Sequence, residues 1–234
     1  MSALLEINGL SKDYQALRPL RIAQLTVHPG DVVVIGGIDA RAAETLVHLI
    51  TGAALPDAGE VTLFGQNTKG ITDGAAWLES LDGVGMVSAR GILIEAFSVL
   101  QNIAMSYTLD VDPVDPRVVP QAGELARSVG IDPGVFDAPA GKMPLDVQMR
   151  VHLAKSLALG PKLLIAEHPS ATLPRDVVAP FAADLVRAAQ SRGLALLTIT
   201  ADDVLAKAIG GRRFELVAAS GELRAPGLLK KLFG

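Results

Sequence analysis

The sequence contains no cysteine, few aromatic residues and no long apolar run. The absence of cysteine excludes disulfide bonds and thiolate metal sites. No segment reaches the roughly 18 uninterrupted apolar residues that a membrane-spanning helix needs. Histidines are few and too widely spaced for a local zinc motif, so we expect no metal held by protein ligands alone. They are His28, His48, His152 and His168.

Positive charge is also scarce. The formal net charge is −4 and the basic residues are scattered, so the chain lacks the basic patch that binds nucleic acid. The first 14 residues lack the basic start and apolar stretch of a signal peptide. We therefore expect a cytoplasmic protein without direct membrane insertion, peripheral to the inner face of the cell membrane only through a partner.

Small aliphatic residues make up for the missing aromatics. Half of the 234 residues are hydrophobic while only 4% are aromatic. An interior of Val, Leu, Ile and Ala is typical of a buried parallel sheet flanked by helices. The length suits one domain, so residues 1–234 are expected to form a single α/β unit.

Local patterns predict the order of the elements. Short apolar runs predict strands at 4–10, 20–27, 31–36 and 60–65, with a tight loop and a helix at 41–51 after the third. Residues 98–109 and 121–130 read as helices separated by a proline-rich stretch. The remaining chain alternates helix and strand, as a parallel sheet requires. These segments are 146–159, 162–167, 175–190, 194–200, a helix ending at 209 and a hairpin at 212–224.

Five motifs follow one another in a recognisable order. The stretch DVVVIGGIDARAAETLVHLITGAALPDAGEVTLFG at 31–65 is followed by VGMVSARGILIEAFSVLQNIAM at 84–105 and MPLDVQMRVHLAKSLALGPKLLIAEHPSATLP at 143–174. LALLTITADD and RRFELVAASGEL complete the series. Together they resemble the ATPase subunit of an ATP-binding cassette (ABC) transporter over nearly the whole chain.

The resemblance implies an architecture. It is that of a P-loop NTPase-like ABC ATPase core with an N-terminal antiparallel β lobe and an inserted α-helical subdomain. The core corresponds to residues 1–90 and 147–234, and the helical subdomain to about 91–146.

The phosphate loop departs most from the family pattern. The motif GPSGSGKST falls on residues 37–45, where only Gly37 and Thr45 are retained. Glycine amides cradle phosphates, lysine neutralises them and a hydroxyl binds magnesium. The inner glycines, the lysine and the magnesium-binding hydroxyl are replaced by Ala40, Ala42, Ala43 and Glu44. Asp39 adds a second acid, so triphosphate binding should be weakened by repulsion.

Two interpretations of Arg41 remain open. Its guanidinium can turn toward a phosphate and compensate for the missing lysine. Alternatively Asp39, Arg41 and Glu44 form a solvated helix start, in which acids favour the helix dipole.

The other motif positions have also changed. The family's glutamine corresponds to Ala89, the Walker B aspartate to Glu167, the catalytic glutamate to His168 and the switch histidine to Ala201, beside Asp202. His168 is either a general base or a structural residue, and we favour the structural role. The D-loop aspartate corresponds to Pro174.

The signature motif LSGGQ corresponds to residues 143–147, which read Met-Pro-Leu-Asp-Val. Asp146 is expected to direct a negative charge toward an anionic ligand. The helix behind it keeps family residues at Gln148, Arg150 and Val151. Tyr14 matches the aromatic residue that stacks on adenine, but an ordinary tyrosine covering the β lobe explains it equally well.

These observations favour a subunit that has lost most ATP-binding and hydrolysis residues. No cofactor is expected with certainty; ATP or ADP with magnesium would bind weakly through Tyr14, Gly37, Arg41 and Thr45, with Thr45 and Glu167 as the only metal ligands. We expect a structural or regulatory role, docking on a membrane-embedded transporter subunit through residues 89–105. The short amphipathic segment 228–234 is expected to cap the terminal hairpin.

Pairing with another ABC ATPase, as homodimer or heterodimer, would complete neither composite site. The alternatives are an active ATPase that energises transport, with Arg41 and His168 as substitutes, and a binding module that uses the remodelled pocket.

Overall fold

The structure, a computed structural model, describes residues 2–225. It contains ten strands: β1 Leu5–Lys12, β2 Leu20–Val27, β3 Val32–Gly36, β4 Ala58–Leu63, β5 Gln66–Asn67, β6 Val84–Ser88, β7 Leu163–Glu167, β8 Ala195–Ile199, β9 Arg212–Val217 and β10 Glu222–Arg224. Its helices are α1 Ala40–Ile50, α2 Gly74–Leu81, α3 Val99–Ala104, α4 Val119–Ser128, α5 Leu145–Leu157, α6 Arg175–Gln190 and α7 Asp203–Ile209. Three single 3₁₀ turns lie at Thr68–Gly70, Pro133–Val135 and Ala140–Lys142.

All the strands belong to one sheet with two halves. Its order is β5-β4-β1-β2-β10-β9-β3-β8-β7-β6. The half from β9 to β6 is parallel, whereas β1, β2, β4 and β5 pair antiparallel. This arrangement confirms the parallel core and the N-terminal antiparallel lobe expected from the sequence.

The parallel strands are buried on both faces. In β3, Val34 points into a core cluster shared with α5 and α6, while Val33 and Ile35 point into a second cluster shared with α1. Because successive side chains of a strand alternate between faces, a strand covered on both sides must be apolar throughout. The uniformly apolar run before Gly36 therefore forms a central strand.

The segment after β6 contains less helix than its sequence predicts. The prediction of a helix over 98–109 is wrong beyond Ala104, where α3 ends. Ser98 starts α3 with a capping box, but the amides of Ser106 and Tyr107 bond back three residues as turns. α3 and α4 pack on each other and on α5.

Other differences are local. α2 and β6 were not predicted, because Gly74, Gly83 and Gly85 interrupt the apolar pattern there. The segment 228–234 lies outside the described residues. Within residues 2–225, no helix is both long enough and apolar enough to span a bilayer.

Candidate functional site

The carboxyl ends of the parallel strands meet at one edge of the sheet. Ile35 and Glu167 both lie opposite Ile199, and Ser88 lies opposite Glu167. The residues that follow these four strands are therefore neighbours, which is where open α/β sheets bind ligands. Most motif positions named from the sequence converge at this edge.

The loop between β3 and α1 is short because the helix starts early. α1 begins at Ala40, and Asp39 is its N-cap residue. The Ala42 amide donates to the Asp39 carboxylate at 2.8 Å, and the Ala43 amide donates to the Asp39 carbonyl at 2.9 Å. A carboxylate of the chain itself thus occupies the helix N-terminus, which attracts anions.

Gly37 is required by the close approach of β9. Its φ is +65°, and a Cβ atom there would lie 2.8 Å from a Glu215 carboxylate oxygen and 3.1 Å from the Leu216 carbonyl oxygen. Only glycine fits this backbone position without strain. The packing against β9 therefore explains Gly37 without a ligand.

Arg41 is directed toward the loop after β1. Its guanidinium donates to the Gln15 side-chain oxygen at 3.1 Å and to the Gln15 carbonyl at 3.4 Å. Thr45, on the next turn of α1, donates its hydroxyl to the Arg41 carbonyl at 2.8 Å. The Arg41 guanidinium and the Thr45 hydroxyl are therefore both hydrogen-bonded to other residues of the chain.

Tyr14 is half-buried and packs against the core cluster beneath the β lobe. Burial raises the pKa of its hydroxyl, Asp39 raises it further and Arg41 opposes the shift. Tyr14, Asp39 and Arg41 are thus close enough to interact electrostatically. This packing is the structural role weighed for Tyr14 in the sequence.

Arg90, which we did not identify as a site residue from the sequence, lies at the centre of the site. Its Nη1 donates to Glu44 Oε1 at 2.5 Å, and its Nη2 donates to both Glu167 carboxylate oxygens at 2.6 and 2.7 Å. These bonds, first that to Glu167 and then that to Glu44, raise the pKa of Arg90. The hydrogen bond from Arg90 lowers the pKa of Glu44. One guanidinium therefore joins α1, β7 and the loop after β6.

His168 follows β7 in a left-handed conformation, with φ 42°. Its Nδ1 accepts from the Ala201 amide at 3.4 Å, while its buried Nε2 has no hydrogen-bond partner within residues 2–225. The ring lines a hollow of about 450 Å³. Ala201 supplies only its backbone to this contact.

Asp202, beside Ala201, is held by its neighbours. It accepts from the Ser170 hydroxyl at 2.8 Å and from Arg175 at 2.7 Å. Burial opposes ionisation of Asp202, but hydrogen bonds from Ser170, Arg175 and two backbone amides together lower its pKa. It also caps α7, so its position has a structural explanation.

The signature positions lead into α5. Asp146 pairs with Arg150 at 2.6 Å, and Arg150 also bonds Asp184 of α6 at 2.6 and 2.9 Å. The expectation that Asp146 directs its charge toward a ligand is wrong, because its carboxylate is neutralised one turn along its own helix. Gln148 donates to the Met143 carbonyl at 2.9 Å.

The loop after Arg90 combines exposed and packed apolar residues. Ile92 is 82% exposed and Ile94 is 38% exposed, whereas Leu93 and Phe97 pack against the core. His152 of α5 lines a hollow of about 330 Å³ beside this loop. Burial, with a contribution from Lys155, lowers the pKa of His152 to about 4. Ile92 and Ile94 are therefore the exposed large apolar side chains of this loop.

Comparison with known proteins decides the family. No protein-family model matches the chain. It is 32% identical over 209 residues to the lipoprotein-releasing system ATP-binding protein LolD 2 of Caulobacter vibrioides, covering 87% of this chain and 90% of that protein. The chain belongs to the ABC transporter ATP-binding subunits.

Solved structures agree with the fold of this ABC subunit. It is similar to cbiO1 of Clostridium perfringens, part of the ABC transporter complex cbiONQ, with a TM-score of 0.80 and 19% identity over 100% of this chain and 91% of that one. It is also similar to a dimeric ATP-binding cassette bound to ADP and Pi, with a TM-score of 0.71 and 19% identity over 94% and 96% of the chains. The ABC ATPase fold expected from the sequence is confirmed.

Proposed function

We propose that this ABC subunit hydrolyses ATP barely or not at all and serves as a structural or regulatory component of a transporter. The observation that carries the proposal is the start of α1. There the Asp39 carboxylate accepts from the Ala42 amide, and Ala43 replaces the family's lysine. The family's phosphate loop presents free backbone amides and a lysine at this place. Here a carboxylate binds one of the amides and an alanine replaces the lysine.

Charge supports the same conclusion. Two like charges about 4 Å apart repel by about 1 kcal/mol in water and about 4 kcal/mol near a protein surface. Asp39 and Glu44 would both face a triphosphate bound at this helix start. Arg41 and Arg90, the nearby cations, are bonded to Gln15 and to two glutamates. The side chains present therefore do not fit magnesium-ATP.

The second half of the family's composite site is also altered. In the family the signature serine and glycine amides of one subunit grip the nucleotide of the other. Here α5 begins at Leu145 after Pro144, without a side-chain cap, and Asp146 is bound to Arg150. Neither a homodimer nor a heterodimer with an active ATPase would contain a complete site.

Docking is the function that remains. We infer that residues 89–105 receive a membrane-embedded transporter subunit, placing the protein at the inner face of the membrane. Ile92 supports this role, because its side chain is exposed next to an open hollow.

We also propose that the domain is divided into a core, residues 1–90 and 147–234, and a helical subdomain, about 91–146.

The test is steady-state phosphate release by the purified chain, alone and with its membrane partner. We expect a rate at least tenfold below that of ordinary family members, with the partner still bound. Ile92→Asp should abolish partner binding, and Leu159→Asp, at an apolar residue that is 74% exposed, is the matched control. A rate within tenfold of ordinary members would refute the proposal.

A weakly active ATPase is the second candidate. It is favoured by one observation: His168 lies directly after Glu167 at the carboxyl end of β7 and lines an open hollow of about 450 Å³. Histidine can act as a base near neutral pH. This candidate requires magnesium-dependent ATP binding that Arg41→Ala abolishes and phosphate release that His168→Ala abolishes.

A further inference from the structure

Two acids occupy positions where the family binds a metal ion. Glu44 replaces the hydroxyl that ligates magnesium, and Glu167 replaces the aspartate that anchors it. Their carboxylates are linked by the Arg90 guanidinium, at 2.5 Å on one side and 2.6 and 2.7 Å on the other. The cation between these two positions is therefore a side chain of the protein itself, the Arg90 guanidinium.

Glu167 needs a cation for physical reasons. Its side chain is 3% exposed, and a buried carboxylate is costly unless it is paired and hydrogen-bonded. Within residues 2–225, Arg90 is the only residue in salt-bridge contact with Glu167 or Glu44. A planar guanidinium can bridge two carboxylates at once, which an ammonium does poorly.

We propose that Arg90 is a tethered replacement for the divalent cation of the family. It neutralises Glu44 and Glu167 and ties α1 to β7 without metal or nucleotide. This inference rests on the proposed function, since it explains how the site persists in a subunit that does not need ATP.

The same bond fixes the docking loop. Arg90 is the second residue after β6, and its amide donates to the Ser88 hydroxyl at 3.2 Å. Further along, Lys155 donates to the Ile92 carbonyl at 3.2 Å, and the Asn102 side chain bonds both the amide and the carbonyl of Ile94. Arg90 therefore anchors the end of the loop nearest the site, so the loop is held independently of nucleotide.

An ordinary surface ion pair would behave differently. Arg117 and Asp115 also form a bidentate pair, but Arg117 is 89% exposed and, in the described part of the chain, forms a salt bridge with that one carboxylate only. Exposed pairs of this kind contribute little to stability. Arg117→Ala is thus a matched control for loss of a paired arginine outside the site.

The experiment measures thermal unfolding of the full chain without nucleotide, in 10 mM MgCl₂ or MnCl₂ and in NaCl of equal ionic strength. We expect the wild-type midpoint to differ by less than 1 °C between the salts. Arg90→Ala should lower the midpoint by about 5 °C in NaCl, because a buried charge loses its partner. Divalent cations should restore at least half of that loss, since Mg²⁺ binds through one or two carboxylates while retaining waters.

Three further variants locate the effect. Arg90→Ala combined with Glu44→Ala should lose the divalent response, and Arg117→Ala should show neither the loss nor the response. Arg90→Lys keeps the charge but not the bridge, and it should give about half the loss if Arg90→Ala does not fold. Hydrogen exchange of residues 91–98 should be faster in Arg90→Ala, or in Arg90→Lys, and slow again with Mn²⁺.

Three results would overturn the proposal: an unchanged midpoint in Arg90→Ala, a loss that divalent cations do not repair, or a wild-type chain that gains as much from Mg²⁺ as the variant does. The readout contains no ATP. Failure of the proposed function would appear instead as ordinary phosphate release by the wild-type chain, so the two failures are distinguishable.

Discussion

Arg150 and Arg90 each bridge a pair of carboxylates, in two different parts of the molecule. Arg150 joins Asp146 and Asp184 between α5 and α6, and its side chain is 10% exposed. Arg90 joins Glu44 and Glu167 where the strands end, and its side chain is 55% exposed. The chemistry is the same, but one cluster is enclosed by packed helices and the other faces an open edge.

The two clusters differ in how accessible they are to ions from solvent. Arg150 is largely enclosed, with a side chain 10% exposed, so we expect its contribution to be structural. Arg90 lies where solvent ions can reach, and only Glu167 of its two partners is buried. The stabilisation by the Arg90 cluster should therefore depend on the ions in solution, whereas that by the Arg150 cluster should not.

The largest effect is expected from Arg150→Ala. Removing this side chain leaves two largely buried carboxylates without their shared partner, which should lower the free energy of unfolding by about 3 kcal/mol. Urea unfolding followed by circular dichroism measures the loss, and Mg²⁺ should not reduce it. Arg187→Ala, an exposed partner of Asp184, is the control. A loss below about 1 kcal/mol would remove the distinction between the clusters.

Glu167→Gln should have an intermediate effect. The amide keeps the shape of the side chain but not the charge paired with Arg90, so we expect a loss of about 1–2 kcal/mol. Glu44→Gln should cost less, because Glu44 is far more exposed than Glu167. Urea midpoints of the two variants measure this order, and the reverse order would show that Arg90 serves mainly α1.

Acidification should affect the region of Arg90 through His152, which lies beside Gly91. The pKa of His152 is lowered to about 4 by burial, so the unfolded chain binds this proton more readily than the folded chain. Stability is full above pH 6.5 and falls toward pH 4. After discount for partial exposure, the loss is about 1–2 kcal/mol.

His152→Gln should flatten this part of the pH profile, measured by urea unfolding at pH 7, 6 and 5. His28→Gln, at an exposed histidine between β2 and β3, serves as the control. Identical profiles for wild type and His152→Gln would exclude the contribution of His152.

The smallest effect is expected from Arg41→Ala. Arg41 is exposed, and within residues 2–225 its guanidinium bonds only Gln15, so the free energy of unfolding should change by less than about 0.5 kcal/mol. Urea unfolding with and without ATP measures it. A loss that appears only with ATP would assign Arg41 to a ligand, and a large loss without ATP would contradict the expected minor structural role.

Strong periodicity made much of the fold predictable from sequence. β2 at Leu20–Val27 and α6 at Arg175–Gln190 have the predicted bounds, because recurrent apolar residues mark the whole of both elements. The helix over 98–109 failed because Ser106, Tyr107 and Thr108 favour turns over helix continuation.

The site was predictable in position but not in its bonds. Ala43 and Glu44 could be placed through the resemblance to the family motif, by counting back from Thr45. Arg90 could not be recognised, since its role depends on the convergence of β6 and β7 in space. The available signal was a lone arginine beside Ala89 together with acids at both metal positions.

Titration calorimetry of the full chain with magnesium-ATP tests the central claim most directly. Because Asp39 occupies the start of α1 and Arg90 bridges the two acids, we expect no saturable heat up to about 1 mM ATP, a binding free energy weaker than about −4 kcal/mol. A Kd near 1 μM, about −8 kcal/mol, would contradict the claim that the chain's own side chains have replaced the ligand.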